Sequence, residues 1–279
     1  MLLKAPIALV DAFADVPFSG NPAGICLVDE FPADVLMQSV AFEFNWSETA
    51  FLVRLEPSFY HIRWFSPLDE APMCGHATLA AAHFLFEYNY VIGSSVEFQS
   101  LSGQLIVTKQ TNENGESWLV MDFPAISVKD CTDAAEVESI QDVFDDDNMT
   151  VNIKSILKDS ILYIVVLANE DEVRRCRPNL AKLKKLPCRA ISVTAQSSNG
   201  CDFVSRYFAP QVGIPEDPVC GSSHCRLAPF WAKALGKDTL VAKQLSQRGG
   251  VLHLSLCPQT NRVSIAGQAR TILTGQMAI

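Results

Sequence analysis

One short phrase occurs twice in this chain of 279 residues. Residues 72–80 read PMCGHATLA and residues 218–226 read PVCGSSHCR, so both have Pro, an apolar residue, Cys and Gly ahead of a helical pattern. A second pair, RWFSP from residue 63 and RYFAP from residue 206, precedes them in the same order. The two offsets, 143 and 146 residues, are too long for a solenoid repeat and predict two copies of one unit.

The rest of the chain supports an α/β class with two halves. Strand-like segments surround helical patterns at about 75–90, 170–185 and 222–235. We expect an N-terminal half at residues 1–122, completed by a C-terminal strand at about 266–279, and a C-terminal half at 123–265. The acidic stretch 129–150 falls near the crossover between the halves.

The net charge and apolar pattern of the sequence limit the kinds of binding partner that we expect. A formal charge of −9 argues against nucleic acid or an anionic membrane, which require a basic face, but not against a small anionic metabolite. The apolar start is interrupted by Asp11 and Asp15, and the longest apolar run, residues 161–168, is too short to cross a bilayer. We therefore expect a cytoplasmic location, where the nine scattered cysteines stay reduced.

The spacing of cysteine and histidine in this sequence gives little support for a metal site. The chain has no C-x-x-C pair, and CGSSHC at residues 220–225 has no second ligand pair elsewhere. We therefore predict neither a metal site nor a cofactor.

Each repeated phrase suits the start of a helix. The first backbone N–H groups of a helix have no intrahelical acceptor, and the macrodipole adds partial positive charge there. Glycine at Gly75 and Gly221 lets a ligand approach those amides, so each phrase predicts a small carboxylate site. If the halves face each other, the two sites converge on one cleft.

Cys74 and Cys220 precede these helix starts. A thiol at a helix N-terminus has a lowered pKa, which favours a pair of opposed thiols that move a proton. The alternative is that both are small buried apolar side chains, as most free cysteines are.

Polar residues next to the cysteines are candidates for substrate contact. His76 in the first helical turn is a plausible donor to substrate, and Ser222 is its counterpart in the second half. His224 ranks lower. Asp217 is held on a loop by the following proline, where it either caps the helix or bonds substrate, and we expect Glu216 to be solvated.

Glu48 stands in NWSETAFL, between Trp46 and an apolar run. A carboxyl desolvated by such surroundings suits a general acid or base. The alternative is an exposed glutamate at a strand edge.

Motifs spread from residue 11 to 275 resemble the PhzF family of phenazine biosynthesis-like isomerases. They are DAFADVPFSGNPAGICLV, NWSETAFL, RWFSPLDEAPMCGHATLAAA, EDPVCGSSH and VSIAGQARTILTG. The resemblance implies the diaminopimelate epimerase-like fold, in which each of two similar halves wraps a β-barrel-like sheet around a central helix and the site lies between the halves. Trp46 and Ser223 depart from the family pattern, which usually has Leu and Ala there.

The same resemblance implies roles for single residues. Glu48 falls on the family's acid/base, while His76, Asp217 and Ser222 fall on its polar contacts to substrate. The amides of Gly75 and Gly221 would bind the substrate carboxylate. It implies an isomerase that needs no metal or organic cofactor and moves a proton on a small carboxylated metabolite.

Two other functions stay open at this point. Related epimerases and racemases use two opposed thiols, and Cys74 and Cys220 fill both positions here. A non-catalytic ligand-binding protein could also retain the scaffold. A homodimer is common among such proteins, although no stretch of this sequence identifies an interface.

Overall fold

The computed structural model describes residues 4–111, 115–145 and 151–278. The chain divides into two compact units, the first comprising residues 1–123 and 264–279 and the second residues 124–263. The ends of the predicted halves at residues 1 and 279, and the end of the acidic stretch at 146–150, lie outside the described residues. None of the helices in the described segments is long and apolar enough to span a membrane.

Unit 1 is built mainly of strands. Its elements are β1 (Lys4–Ala12), β2 (Asn21–Val28), α1 (Asp34–Phe44), β3 (Glu48–Glu56), β4 (Phe59–Phe65), β5 (Glu70–Ala71), α2 (Gly75–Glu87), β6 (Ser95–Ser100), β7 (Gly103–Thr111), β8 (Ser117–Pro124), β17 (Arg262–Gly267) and β18 (Ala269–Ala278). The C-terminal β18 pairs antiparallel with β1, which pairs antiparallel with β2, and β2 runs parallel to β3.

Helix α2 is the buried helix of unit 1. Its residues from His76 to Leu85 are all buried except the half-buried His83. Apolar residues on every side are the mark of a helix enclosed by other elements, and the small side chains of Ala77 and Ala80–Ala82 let strands approach it closely. The helix contacts β1, β2, β3 and β18.

Unit 2 has a similar mixture of elements. They are β9 (Lys129–Asp130), α3 (Ala134–Val143), β10 (Ile153–Lys158), β11 (Leu162–Leu167), α4 (Glu170–Arg175), α5 (Leu180–Leu183), β12 (Ala190–Gln196), β13 (Phe203–Ala209), β14 (Ile214–Asp217), α6 (Gly221–Leu235), β15 (Thr239–Gln244) and β16 (Gly250–Cys257). The predicted mixed α/β class is confirmed, but the single helix expected near 170–185 is wrong. Pro178 disfavours helical geometry at the residue before it, so the segment forms α4 and α5 instead.

Helix α6 contains a proline, Pro229. Proline has no amide hydrogen, so the carbonyl of Cys225, four residues earlier, receives no bond from it. The backbone N–H of Ile126 donates to that carbonyl at 2.8 Å. The proline therefore frees an acceptor that holds the first residues of unit 2 against the helix.

A β-hairpin before each helix start carries a buried or half-buried ion pair. In unit 1, Arg63 on β4 donates from Nε and Nη2 to the two carboxylate oxygens of Glu70 on β5, both at 2.7 Å. Its Nη1 also donates to Asp34 at 2.8 Å. Two parallel bonds fix the geometry of both side chains, and so tie β5 to β4 just before the chain enters the turn to α2.

Unit 2 repeats this arrangement. Arg206 on β13 donates from Nε to Glu216 Oε1 at 2.7 Å and from Nη2 to Oε2 at 2.9 Å. The expectation that Glu216 is solvated is therefore wrong, because only about a quarter of its side chain is exposed (24%). Arg206 Nη1 also donates to the carbonyls of Val173 and Cys176, at 3.2 and 2.7 Å.

Candidate active site

Glu48 is the first residue of β3, next to the start of the parallel strand pair. Ala23 on β2 is its partner in the register. Helix α1 ends at Asn45 in a left-handed conformation (φ 50°), which turns the chain from the helix into Trp46, Ser47 and then β3. The Glu48 side chain is mostly buried, with 13% exposed, so it is not a strand-edge glutamate in solvent.

Helix α2 begins at Gly75, directly after Cys74. Cys74 is extended (φ −142°), and no side chain caps the helix start. A Cβ placed on Gly75 would meet only the Phe123 ring, at 4.0 Å. Because packing does not require glycine there, the absence of a side chain leaves the first amides of α2 approachable, as an anion site needs.

The structure brings Glu48 and His76 together. Oε2 of Glu48 lies 3.2 Å from Nε2 of His76, which is ion-pair distance. The two groups are not aligned as a hydrogen bond, so this buried oxygen has no hydrogen-bond donor among the described residues. A buried carboxylate oxygen that is paired by charge but not hydrogen-bonded can still accept a bond from a ligand or take up a proton.

His76 also contacts Cys74. Nδ1 of the ring lies 3.5 Å from the Cys74 sulfur. Burial acts to lower the pKa of His76, but the neighbouring Cys74 and Glu48 outweigh it, and the pKa of His76 stands well above its usual value. A neutral thiol carries no charge, and burial keeps the Cys74 thiol neutral, so the Glu48 carboxylate is the anion that stabilises the imidazolium.

The expected lowering of the cysteine pKa values is wrong in direction for both residues. Burial, with a further contribution from Glu48, raises the pKa of the Cys74 thiol. Burial, with a further contribution from Asp217, raises the pKa of Cys220. Desolvation disfavours the thiolate more than a helix start favours it, so both residues rest as neutral thiols.

Sequence reasoning missed Asn21 as a site residue. Its Nδ2 lies 3.2 Å from Nδ1 of His76, and its Oδ1 accepts from the Ser47 hydroxyl at 3.1 Å. Asn21 is fully buried at the start of β2. The signal was its place between Gly20 and Pro22, because a polar amide in a tight turn is there for its hydrogen bonds.

In unit 2 the structure brings Asp217, Cys220 and Ser222 together. The Cys220 sulfur lies 3.3 Å from the Ser222 hydroxyl, and helix α6 begins at Gly221. Gln244, a second residue that sequence reasoning missed, fixes this turn. Its Oε1 accepts from the Cys220 amide at 2.9 Å and its Nε2 donates to the Asp217 carbonyl at 2.6 Å.

The polar neighbours Ser223 and His224 point into the core of unit 2. The hydroxyl of Ser223 bonds that of Ser192 at 2.9 Å. His224 Nδ1 lies 2.7 Å from the Cys220 carbonyl and Nε2 lies 3.4 Å from the Ser205 hydroxyl. Burial lowers the pKa of His224 to about 4, so the ring is neutral and structural.

One group of side chains in the described residues has the types and spacing of a metal site. Ligand atoms of Glu48, Cys74 and His76 all lie within 4.8 Å of one another. The three come from the start of β3 and the start of α2, so no short sequence motif contains them.

A surface hollow beside α1 is a poorer candidate. It has a volume of about 670 Å³, and its lining includes Asp34, Phe42, Glu43 and Glu70 but not Glu48 or His76. Two of its three carboxylates, Asp34 and Glu70, are paired with Arg63, and none of the predicted site residues lines it, so this hollow offers less to the predicted chemistry than the start of α2 does.

The fold is of the epimerase-like α/β class, and comparison with known proteins gives the family. The family model described as phenazine biosynthesis-like protein, PhzC-PhzF, matches residues 10–275. An uncharacterized isomerase of Pseudomonas aeruginosa is 45% identical over 270 residues, with 97% of each chain covered. An uncharacterized isomerase of Halalkalibacterium halodurans is 37% identical over 280 residues, with 100% of each chain covered.

Solved structures agree. A PhzF-family phenazine biosynthesis protein of Enterococcus faecalis has a TM-score of 0.89 and 38% identity, covering 99% of this chain and 100% of that one. A hydroxyproline epimerase of Agrobacterium vitis has a TM-score of 0.62 at 10% identity, covering 99% of this chain and 93% of its own, which shows the fold alone. This chain belongs to the phenazine biosynthesis-like PhzC-PhzF family of isomerases. The predicted family and the epimerase-like α/β fold are confirmed.

Proposed function

We propose that this isomerase moves a proton between carbons of a small carboxylated metabolite, with Glu48 as the acid/base. The observation that carries the proposal is the buried Oε2 of Glu48, which has no hydrogen-bond donor among the described residues although it faces His76 at 3.2 Å. A carboxylate held in low dielectric with a free lone pair is suited to accept a proton from a weakly acidic carbon and return it.

His76 has two tasks in this proposal. Its imidazolium balances the charge of Glu48 before the reaction. When Glu48 takes the proton, the Nε2–H of His76 can donate a hydrogen bond to the negative charge that develops on the substrate. Nδ1–H of the imidazolium needs an acceptor, so the Asn21 amide presents its oxygen there and its nitrogen to the Ser47 hydroxyl, as its two ends have nearly the same shape. Asn21 is therefore a positioning residue.

The uncapped start of α2 supplies the binding energy for a carboxylate. No side chain forms a cap hydrogen bond there, the Cys74 sulfur beside the Ala77 amide is only a weak acceptor, and the helix dipole favours an anion at this end. That Asp217, Ser222 and the Gly221 amide act on the same substrate is implied by the family resemblance and stays a prediction, as does the homodimer.

The test measures deuterium uptake from heavy water into the metabolites of a cell extract, followed by mass spectrometry. We expect the wild-type protein to add deuterium to at least one carboxylated metabolite, and Glu48→Gln to slow this uptake about 10²- to 10⁴-fold, the usual contribution of a general acid or base. Glu56→Gln is the matched control, since Glu56 ends the same strand and is exposed. Uptake at the wild-type rate in folded Glu48→Gln would overturn the proposal.

The two-thiol mechanism is the second candidate, and the contact of the Cys74 sulfur with His76 Nδ1 favours it. It needs a base to take the thiol proton, because burial keeps both thiols neutral. Uptake that survives Glu48→Gln but is lost in Cys74→Ala or Cys220→Ala would assign the proton transfer to the thiols.

Family membership favours an enzyme over the non-catalytic ligand-binding protein. The same extract tests this directly. A metabolite that raises the melting temperature, and that is recovered chemically unchanged and without deuterium, would be the result expected of a binding protein.

A further inference from the structure

Three side chains at the start of α2 present an oxygen, a sulfur and a nitrogen to one point. Glu48 Oε2 lies 3.2 Å from His76 Nε2, and the Cys74 sulfur lies 4.0 Å from the same nitrogen. All three ligand atoms are within 4.8 Å of one another, and Cys74 and His76 are buried. Carboxylate, thiolate and imidazole are the ligands that Zn²⁺ takes in proteins.

The spacing is close to what a tetrahedral ion requires. Zinc bond lengths of about 2.0–2.3 Å separate two ligand atoms by roughly 3.3–3.6 Å across a tetrahedral angle. The nitrogen–oxygen separation already matches, and the sulfur–nitrogen separation needs to shorten by only about half an ångström. The oxygen and sulfur atoms lie within 4.8 Å of each other, so binding requires the Cys74 sulfur to move towards both partners.

The surroundings also resemble those of a ligating histidine. When Nε2 holds a metal, the other ring nitrogen is usually bonded by a polar group that fixes the ring. Here Nδ1 lies 3.2 Å from the Asn21 amide, which the Ser47 hydroxyl orients in turn. The amide can present its oxygen to Nδ1–H, since its two ends have nearly the same shape.

The charge of the Glu48 carboxylate also favours a cation at this point. Within the described segments the buried Oε2 of Glu48 has no hydrogen-bond donor, and its charge is balanced by the His76 imidazolium, which loses its proton when a cation binds. A divalent cation would satisfy this oxygen directly. Three protein ligands leave the fourth tetrahedral position open, as in metal sites that exchange a bound group.

We propose that Glu48, Cys74 and His76 form a binding site for Zn²⁺ or a similar borderline cation. Binding releases the thiol proton of Cys74 and the imidazolium proton of His76 to solvent, and no oxidation state changes. The ion occupies the carboxylate that the proposed function uses, so Zn²⁺ is an inhibitor of the isomerase. Binding is independent of the proposed function, and only the inhibition rests on it.

The test uses Co²⁺, which replaces Zn²⁺ and absorbs light when a thiolate binds it. The chelator-treated full-length protein is titrated with CoCl₂ in the Cys257→Ser background, because Cys257 is the exposed one of the nine cysteines, all of which lie in described residues. We expect about one Co²⁺ per chain, with a near-ultraviolet thiolate-to-cobalt band and intense visible bands typical of a tetrahedral site. MgCl₂, a hard cation, should neither bind nor compete.

Variants assign the ligands. Cys74→Ala should abolish the thiolate band, and His76→Asn should weaken Co²⁺ binding at least about tenfold. Cys74→Ser keeps the size of the side chain and should leave weaker binding without the thiolate band, which covers the case in which Cys74→Ala unfolds. Cys220→Ala is the matched control, as it changes the cysteine at the other helix start and should leave the spectrum unchanged.

Two outcomes overturn the proposal. One is the absence of a thiolate band in the folded protein at saturating Co²⁺. The other is a band that survives Cys74→Ala and disappears in Cys220→Ala. Failure of the proposed function does not affect these spectra, whereas a cation that binds as described without slowing deuterium uptake would overturn only the inhibition.

Discussion

The Cys74 sulfur lies 3.5 Å from Nδ1 of His76, and its thiol nevertheless has a pKa above the usual value. A thiol beside a histidine is the familiar arrangement of a cysteine nucleophile, in which the imidazolium stabilises the thiolate. Here burial and the Glu48 carboxylate oppose that effect, and Glu48 takes the role of anionic partner to His76. This pairing of Glu48 with His76 is the arrangement on which the proposed proton transfer by Glu48 rests.

Thiol labelling tests this assignment. At neutral pH we expect a thiol reagent to modify the exposed Cys257 first, and to modify Cys74 and Cys220 at least about tenfold more slowly, because both are buried and un-ionised. Peptide mass spectrometry during the reaction gives each rate. Labelling of Cys74 as fast as Cys257 in the native protein would mean that its thiolate is populated, and would favour the two-thiol mechanism.

His224 should make the protein less stable in acid. The ring titrates at about 4 in the folded protein and near 6.5 when unfolded, so the unfolded state takes up the proton first as pH falls. Stability from the neutral ring is complete above about pH 6.5 and is lost between there and about pH 4, a total of about 3 kcal/mol.

Urea unfolding at several pH values measures this loss. His224→Gln should lower stability at neutral pH but flatten the decline toward pH 4. His253→Gln is the comparison, since burial also lowers the pKa of His253 but this ring is only half-buried, so the change should flatten the decline less than His224→Gln does. An equally steep decline in His224→Gln would show that another group causes it.

The two arginine–glutamate pairs should differ in strength. Arg206 is more buried than Arg63, with side-chain exposures of 7% and 17%, and it also holds the Cys176 carbonyl. Arg206→Met leaves Glu216 without its partner and should reduce the free energy of unfolding by about 3 kcal/mol. Arg63→Met should cost less, because water reaches this pair more easily. Equal losses in urea unfolding would contradict this order.

Gly24 and Trp46 should be energetically coupled. A Cβ on Gly24 would stand 2.6 Å from Cε3 of the Trp46 ring, closer than atoms can approach. Gly24→Ala should therefore destabilise the protein by roughly 1–3 kcal/mol. In a Trp46→Leu background, which removes the ring, the penalty should shrink, and a double-mutant cycle measures the coupling. Additive effects would mean that the Trp46 ring is not the cause of the penalty, which would then come from another neighbour such as Thr49, whose Oγ1 would lie 3.0 Å from the added Cβ.

Much of the fold could be predicted because its signals are local. Glycines, prolines and apolar periods gave the α/β class, and spaced motifs gave the family. The residues Glu48 and His76 could be named for the same reason, but their contact could not be predicted. It depends on where the start of β3 lies against the start of α2, which is set by tertiary packing.

The failures have a common physical cause. The pKa of Cys74 was expected to fall because a helix start is visible in sequence, whereas burial is not. Glu216 was expected in solvent, although its partner Arg206 stands in the repeated RYFAP phrase, because pairing across a hairpin depends on register. Asn21 and Gln244 were missed because the role of a buried amide shows only in the groups that it bonds, and these groups meet only in the folded chain.

The proline in α6 has a consequence for how this chain can vary. The bond from the Ile126 N–H to the Cys225 carbonyl joins two main-chain groups. Evolution can therefore exchange the side chain at position 126 for that of another residue with a backbone N–H and keep this bond. Position 229, in contrast, has to remain proline to leave the Cys225 carbonyl free of a helical bond. Any other residue there would restore an amide hydrogen that can bond the Cys225 carbonyl within the helix. This bond would compete with the one from Ile126 and so weaken the attachment of the Ile126 segment to the helix.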